Sequence, residues 1–182
     1  ISISGIVVKP SADQSTQYFG RPRGISAISV EMVDGGVLEN VSISDVMVEG
    51  TESPIFVRLA NRARGYYEGQ RIDSVGSLRD VYISNVRVRG AGPTGCSVTG
   101  LPGHPVHNIK LSDITIEHAG GCREVPPTPD EKPAEYPEAT MWGLLPAKGF
   151  FIRHARGVEL DNVTVRTTAP DARPKVVRID AR

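Results

Sequence analysis

Several things are scarce in this chain of 182 residues, and each scarcity narrows what it can be. Lys plus Arg equals Asp plus Glu at 21 each, so no excess of one sign marks it for nucleic acid or an anionic membrane. No apolar run approaches the ~20 residues of a membrane-spanning helix, and no signal-peptide pattern opens the chain. Two cysteines, Cys96 and Cys122, are too few for a disulfide-built scaffold. They stand 26 positions apart and can pair only if the intervening loop folds back; two free thiols are the expectation. His107 and His118 have no partners at metal-ligand spacing, so neither a metal nor another cofactor is expected. No Asp-Asp pair occurs anywhere.

What the chain has in abundance is one phrase. Val41-Ser-Ile-Ser-Asp45-Val-Met-Val48 is preceded by Ile1-Ser-Ile-Ser-Gly5-Ile-Val-Val8. It is followed by Val81-Tyr-Ile-Ser-Asn85-Val-Arg-Val88, Ile109-Lys-Leu-Ser-Asp113-Ile-Thr-Ile116 and Val158-Glu-Leu-Asp-Asn162-Val-Thr-Val165. Apolar residues fill the first, third, sixth and eighth places. Each half has the period of two of a strand, but the parity slips between the halves. A straight strand would turn half of those side chains to water, so the backbone must bend at the fifth place. There the chain puts Gly5, Asp45, Asn85, Asp113 and Asn162, the residue types that tolerate a left-handed backbone. These corner residues are expected to line up in one column, with no helix longer than two turns anywhere.

A second strand type recurs after each phrase: Ile28–Met32, Ile55–Leu59, Cys96–Gly100, Phe150–His154 and Val176–Ile179. Aligned on their central aliphatic, these predict a polar column of Glu31, Arg58, Thr99, Arg153 and Arg178. The phrases are 40, 28 and 49 residues apart from Val41 to Val158, and the excess falls in loops, chiefly 62–78 and 120–148. The longer loop is rich in proline, and its apolar patch, Tyr136 and Met141 to Leu145, is expected to fold back as a cover or a binding face. The link from Lys9 to Gly24 reads as a loop. Repetition in register predicts an all-β, single-stranded parallel β-helix of about five coils, one domain over residues 1–182.

With those strands placed, Val30 to Ser44, Pro54 to Arg62, Gly100 to Pro105 and Gly149 to His154 together resemble the polygalacturonase-like glycoside hydrolases of family 28, in their divergent bacterial members. The resemblance covers about Arg23 to the end. It implies a right-handed β-helix, an inverting O-glycosyl hydrolase acting on pectin-type or related polysaccharide, and an extracellular or periplasmic location. The family's acids come from an Asn-Thr-Asp triplet and an Asp-Asp pair, followed by Gly-His-Gly, and none of these is present here. Gly103-His-Pro105 therefore reads as a turn. The catalytic carboxylates are expected upstream of Ile1, and the chain as given is expected to be inactive alone.

The family's Arg-Ile-Lys substrate motif falls around Ile28 to Glu31, with Glu31 in the lysine's place. A glutamate there would repel a uronate and instead accept hydrogen bonds from neutral hydroxyls. Glu31, Asp34, Arg58, Asn61 and Arg62 are the substrate-binding candidates. The same residues have structural uses: Glu31 as a partner of Arg58, and the arginines as bonds to turn carbonyls. Arg153-His154 reads as ladder and turn. The alternative functions are a non-catalytic carbohydrate-binding β-helix and a solenoid of structural or adhesive use. The expected partners are polysaccharide and, at the open strand edge near Ile1, either a missing N-terminal half or a second copy.

Overall fold

A computed structural model describes residues 1–11 and 23–182. The expected loop from Lys9 to Gly24 lies mostly outside the described residues. Among those residues there is no helix, and ten strands carry the fold. They are β1 (Ser2–Val8), β2 (Gly24–Met32), β3 (Val37–Leu38), β4 (Val41–Glu49) and β5 (Thr51–Leu59). Then come β6 (Ser77–Ala91), β7 (Cys96–Thr99), β8 (Val106–His118), β9 (Phe150–Thr167) and β10 (Val176–Ala181).

Eight of these strands form one sheet in the order β1-β4-β6-β8-β9-β7-β5-β2, while β10 joins β9 and the two-residue β3 joins β6. Every one of these pairings is parallel. The sheet curves through 272° into a nearly closed barrel. This corrects the expected right-handed β-helix of about five stacked coils. The two strand types expected as separate faces belong to a single hydrogen-bonded surface. β9 joins them, because its residues 155–167 pair with β8 and its residues 150–153 pair with β7.

The curvature has its source in the repeated phrase. Asp45, Asn85, Asp113 and Asn162 hold φ of 58°, 51°, 54° and 49°, and Gly5 holds 69°. The registers Ser44↔Ser84↔Ser112↔Asp161 and Val46↔Val86↔Ile114↔Val163 bracket these residues, so they stand in one column. Each left-handed residue bends its strand and restores the inward parity of the next apolar pair. Asn85 donates Nδ2 to Asp45 Oδ1 at 2.7 Å, and Asn162 does the same to Asp113 Oδ1 at 2.7 Å. A second column, Asn40, Asp80, Asn108 and Gly157, also has positive φ (55°, 55°, 50° and 66°), and the sequence reading passed over it.

Both halves of the phrase therefore face inward. Val81, Ile83, Val86, Ile109, Leu111 and Ile114 are fully buried, and they meet Ile55, Val57, Val98, Phe150 and Ile152 from the other arm of the sheet. Parallel strands buried this way read as β-branched runs, and that is the composition found here. β1 lies at one end of the path and pairs with β4, leaving Ile1 and Ile3 exposed. Where β10 joins β9, carbonyls of β9 are bonded by side chains. Lys175 Nζ donates to the Val163 carbonyl, and Arg178 Nη2 to the Val158 carbonyl at 3.0 Å.

Candidate functional site

Parallel pairing decides which of the candidate side chains meet. β2, β5, β7 and β9 align Glu31↔Arg58↔Thr99↔Arg153, so four members of the expected polar column share one row. The fifth does not. Arg178 pairs with Ile152 and Ile179 with Arg153, a slip of one residue that moves Arg178 out of the row.

The segment 129–142 lies over this row and is held by its arginines. Arg58 is fully buried; its Nη2 donates to the carbonyls of Glu131 and Lys132 at 2.9 and 2.8 Å, and its Nη1 to Thr99 Oγ1 at 3.4 Å. Arg153 Nη1 donates to the Pro129 carbonyl at 2.6 Å, and its Nη2 pairs with Glu131 Oε2 at 3.1 Å. Trp142 serves both arginines, its ring centroid 4.7 Å from the Arg58 guanidinium and 5.7 Å from that of Arg153. Burial, together with the neighbouring Arg153 charge, brings the Arg58 guanidinium down to about 10. Arg58 thus takes its structural use, and its donors are spent on the segment that covers it.

The other candidates lie where β2 and β5 end. Arg62 makes a forked ion pair with Asp34 through Nε (2.9 Å to Oδ1) and Nη2 (to Oδ2), and the Arg64 backbone N–H reaches the same Oδ1 at 2.9 Å. The Arg62 hydrogen bonds hold the Asp34 carboxyl below the usual carboxylate range. Glu31 is half-buried, and that burial pushes its carboxyl up against the lowering effects of a Ser29 hydrogen bond and the Arg58 and Arg62 charges. Asn61 is exposed, with its backbone N–H donating to the Pro133 carbonyl at 2.8 Å. Structure therefore brings all five candidates to one end of the sheet, with Glu31 and Asn61 offering polar groups there.

Beside them, Asp34, Gly35, Gly36, Tyr66 and residues 71–74 line a shallow cleft of about 320 Å³. Gly35 holds φ 77°, and a Cβ there would fall 2.6 Å from Ile72 Cγ2, so only glycine lets the 65–76 loop close one wall. Tyr66, Tyr67 and Tyr136 are 80%, 71% and 69% exposed, and the Arg62 guanidinium sits 5.4 Å from the Tyr136 ring centroid. The patch from Met141 to Leu145 does fold back: Leu145 and Ala147 pack on Phe151 with Trp142 beside them, while Tyr136 stays in water.

One network escaped the sequence reading. His154, read as a turn residue, holds φ 49° and places Nδ1 2.8 Å from Asp180 Oδ2 and Nε2 2.9 Å from Glu131 Oε1. Asp180 also pairs with Arg156 at 2.8 Å, and the His154 and Arg156 hydrogen bonds hold its carboxyl low. Glu131, His154 and Asp180 are far apart in sequence and carry no shared motif. His104 sits in a tight turn closed by two backbone bonds with Leu101 at 2.9 Å. Cys96 is buried and Cys122 half-buried, and neither forms a disulfide.

Among the described residues no group of three His, Cys, Asp or Glu side chains is arranged to hold a metal ion, and no helix is long and apolar enough to cross a membrane. Comparison with protein-family models, with curated proteins and with solved structures finds no match to this chain.

Proposed function

We propose that this chain binds carbohydrate, without cleaving it, at the end of the sheet where β2 and β5 terminate. The observation that carries this reading is two tyrosines exposed by more than two thirds at a polar cluster, Tyr66 in the cleft with Asp34 and Tyr136 against Arg62. Folded chains keep large rings in water when those rings have a partner to meet, and a tyrosine ring presents a flat apolar face with a polar tip. The apolar face of a sugar ring suits the first, and hydroxyls suit the carboxyl of Glu31 and the side-chain amide of Asn61. A half-buried carboxyl at Glu31 accepts hydrogen bonds from hydroxyls and would repel a uronate, so a neutral sugar fits better.

Hydrolysis by these same residues is the weaker reading. An inverting glycosidase needs one carboxylic acid to protonate the leaving oxygen and one free carboxylate to activate water. Burial raises the Glu31 carboxyl in the direction an acid needs, but Asp34 already accepts three hydrogen bonds from Arg62 and the Arg64 N–H, which hold its carboxyl low and make it a poor base. Any part this chain plays in a polygalacturonase-like hydrolase then rests on acids it does not carry.

The test is retention of the purified chain in native gels containing neutral polysaccharides, with Tyr66→Ala, Tyr136→Ala and Glu31→Gln variants alongside. Retention by at least one neutral glycan is expected, weakened by each tyrosine change and preserved in Glu31→Gln, which keeps a carbonyl acceptor at the same place. Retention that is indifferent to both tyrosines overturns the site. Release of reducing ends by the chain alone overturns the non-catalytic reading.

A further inference from the structure

His154 and Asp180 share one corner of the sheet. The registers Arg153↔Ile179 and Ala155↔Ala181 bracket them, and both hold left-handed backbone, with φ of 49° and 45°. β9 and β10 therefore bend at the same level, which sets the two side chains against each other. Segment 129–142 arrives from outside, held by its backbone. Arg58 binds the Glu131 and Lys132 carbonyls, and Arg153 binds those of Pro129 and Asp130. The Glu131 side chain completes the contact from that side, and the His154 side chain is left only 12% exposed between the two carboxylates.

Nδ1 lies 2.8 Å from Asp180 Oδ2 and Nε2 lies 2.9 Å from Glu131 Oε1. A carboxylate only accepts, so both ring nitrogens must donate, and only the imidazolium carries two N–H groups. We propose that His154 is a pH-operated latch on segment 129–142: protonated, it ties Glu131 to Asp180 and seats the segment, and neutral, it lets one of them go. The contact is present while the ring is charged and is lost as pH rises through the range in which histidine titrates, about pH 5–8. Its consequence rests on the carbohydrate reading, because the same segment carries Tyr136 against Arg62 and gives its Pro133 carbonyl to the Asn61 N–H. A seated segment holds Tyr136 and Asn61 in place for a sugar, so the tyrosine site binds more tightly in mild acid than at pH 8.

The surroundings decide which partner moves. Asp180 belongs to a paired strand, and Arg156 holds both its Oδ1 at 2.8 Å and its backbone carbonyl at 2.7 Å. The His154 and Arg156 bonds keep its carboxyl low, so Asp180 remains an acceptor. Glu131 belongs to no strand, and its Oε2 has only the Arg153 charge, at 3.1 Å, without a well-formed hydrogen bond. Repulsion between a ring lone pair and a carboxylate is therefore relieved on the Glu131 side. The other charges near this corner are Arg153 and Arg156 on β9, Asp130 and Lys132 in the segment, and Arg178 on β10, which is spent on the Val158 carbonyl. From β7 and β8 come His104, whose backbone carbonyl lies beside that of His154 around Gly100, and His107, in register with Arg156. Neither histidine bonds Glu131 or Asp180.

Acrylamide quenching of Trp142 in the full chain tests the latch, since this sole tryptophan sits in the segment and the quencher is uncharged. Wild type, His154→Asn and Glu131→Gln are compared at about pH 5.5 and about pH 8 at one ionic strength. Asparagine tolerates the left-handed backbone at position 154, and thermal midpoints check that each variant folds. Wild-type quenching should rise about twofold at the higher pH, the modest effect of one partly exposed charge-assisted bond. His154→Asn should be loose at both values. Glu131→Gln should be seated at both, because its amide N–H donates to the neutral ring while its oxygen stays with Arg153. Titration calorimetry with galactomannan and xyloglucan oligosaccharides should follow the same pattern, with wild type binding about twofold more tightly in acid. A flat response in wild type overturns the latch, as does a pH response that survives in His154→Asn or a Glu131→Gln segment looser than wild type in acid. Quenching that follows pH beside sugar binding that does not overturns the coupling. Absence of sugar binding at either pH overturns the carbohydrate reading alone, because quenching decides the latch by itself.

Discussion

Asn85 donates its side-chain N–H to the Asp45 carboxylate across 2.7 Å, and both residues hold left-handed backbone on neighbouring strands. The pair makes the bend of one strand depend on the bend of the next. Ser44 adds a second hydrogen bond to Asp45 at 2.7 Å, and the two donors hold that carboxyl below its ordinary value.

Asn85→Val should therefore lower folding stability by about 1–2 kcal/mol, because a β-branched side chain resists a φ near 51°. Asn85→Gly should lose less, since glycine accepts the conformation and only the side-chain bond is removed. Urea unfolding at neutral pH measures both. Equal losses in the two variants would show that the backbone at this corner is not what limits substitution.

The Asp171–Arg173 pair is the most deeply buried ion pair among the described residues, with no exposure of either side chain. Burial pushes the Asp171 carboxyl up, but the Arg173 hydrogen bonds and charge outweigh it, and the net shift is downward. A carboxyl lowered in the folded state stabilises that state above its unfolded value near 3.8, and the contribution is lost as pH falls through the lower folded value. Asp171→Asn should cost about 3–5 kcal/mol at pH 7, because it leaves a buried guanidinium uncompensated. The gap between wild type and variant should narrow below pH 4. A gap that stays constant down to pH 2 would contradict the pairing.

The row Arg58–Thr99–Arg153 should act as the fastening for segment 129–142. Replacing Arg58 by Met leaves the Glu131 and Lys132 carbonyls without their donor, at a cost of about 2–3 kcal/mol to the local fold. Trp142 is the sole tryptophan, so its emission reports the segment alone. The variant's emission should shift to the red, and a glutamate-specific protease should cut after Glu135 well before it cuts at Glu117 within β8. Unchanged emission would mean that packing of Leu145 and Ala147 on Phe151 suffices to hold the segment.

The two thiols should differ sharply. Burial pushes the Cys96 thiol up to about 12, so at pH 8 only about one molecule in ten thousand carries the reactive thiolate there. Cys122 is half-buried and bonds the Glu124 carbonyl at 2.9 Å. Iodoacetamide should label Cys122 in the native protein and Cys96 only in denaturant, read by peptide mass. Early labelling of Cys96 would mean that β7 opens readily.

Much of the architecture was already written in residue types. The slip in parity at Asp45, Asn85, Asp113 and Asn162 can be read in one dimension, because a strand's side chains alternate and only a bend restores the apolar face. In-register pairing followed from the repeat itself, and with it the meeting of Glu31 with Arg58. The slip of Arg178 could not be read that way. Val176 and Val177 are adjacent aliphatics, and either satisfies an alignment until β9 fixes the register.

The sequence by itself determined that this is an all-β, parallel, repeatedly bent chain with Glu31, Asp34, Arg58, Asn61 and Arg62 as its polar candidates, because period and turn chemistry are local. Tertiary structure alone decided that the two strand types close into one curved sheet through β9. It also decided that Arg58 spends its donors on segment 129–142, and that His154 meets Glu131 and Asp180. Those outcomes depend on which surfaces meet after the bends accumulate and on where a 29-residue loop comes to rest, and neither is encoded in the spacing of residues along the chain.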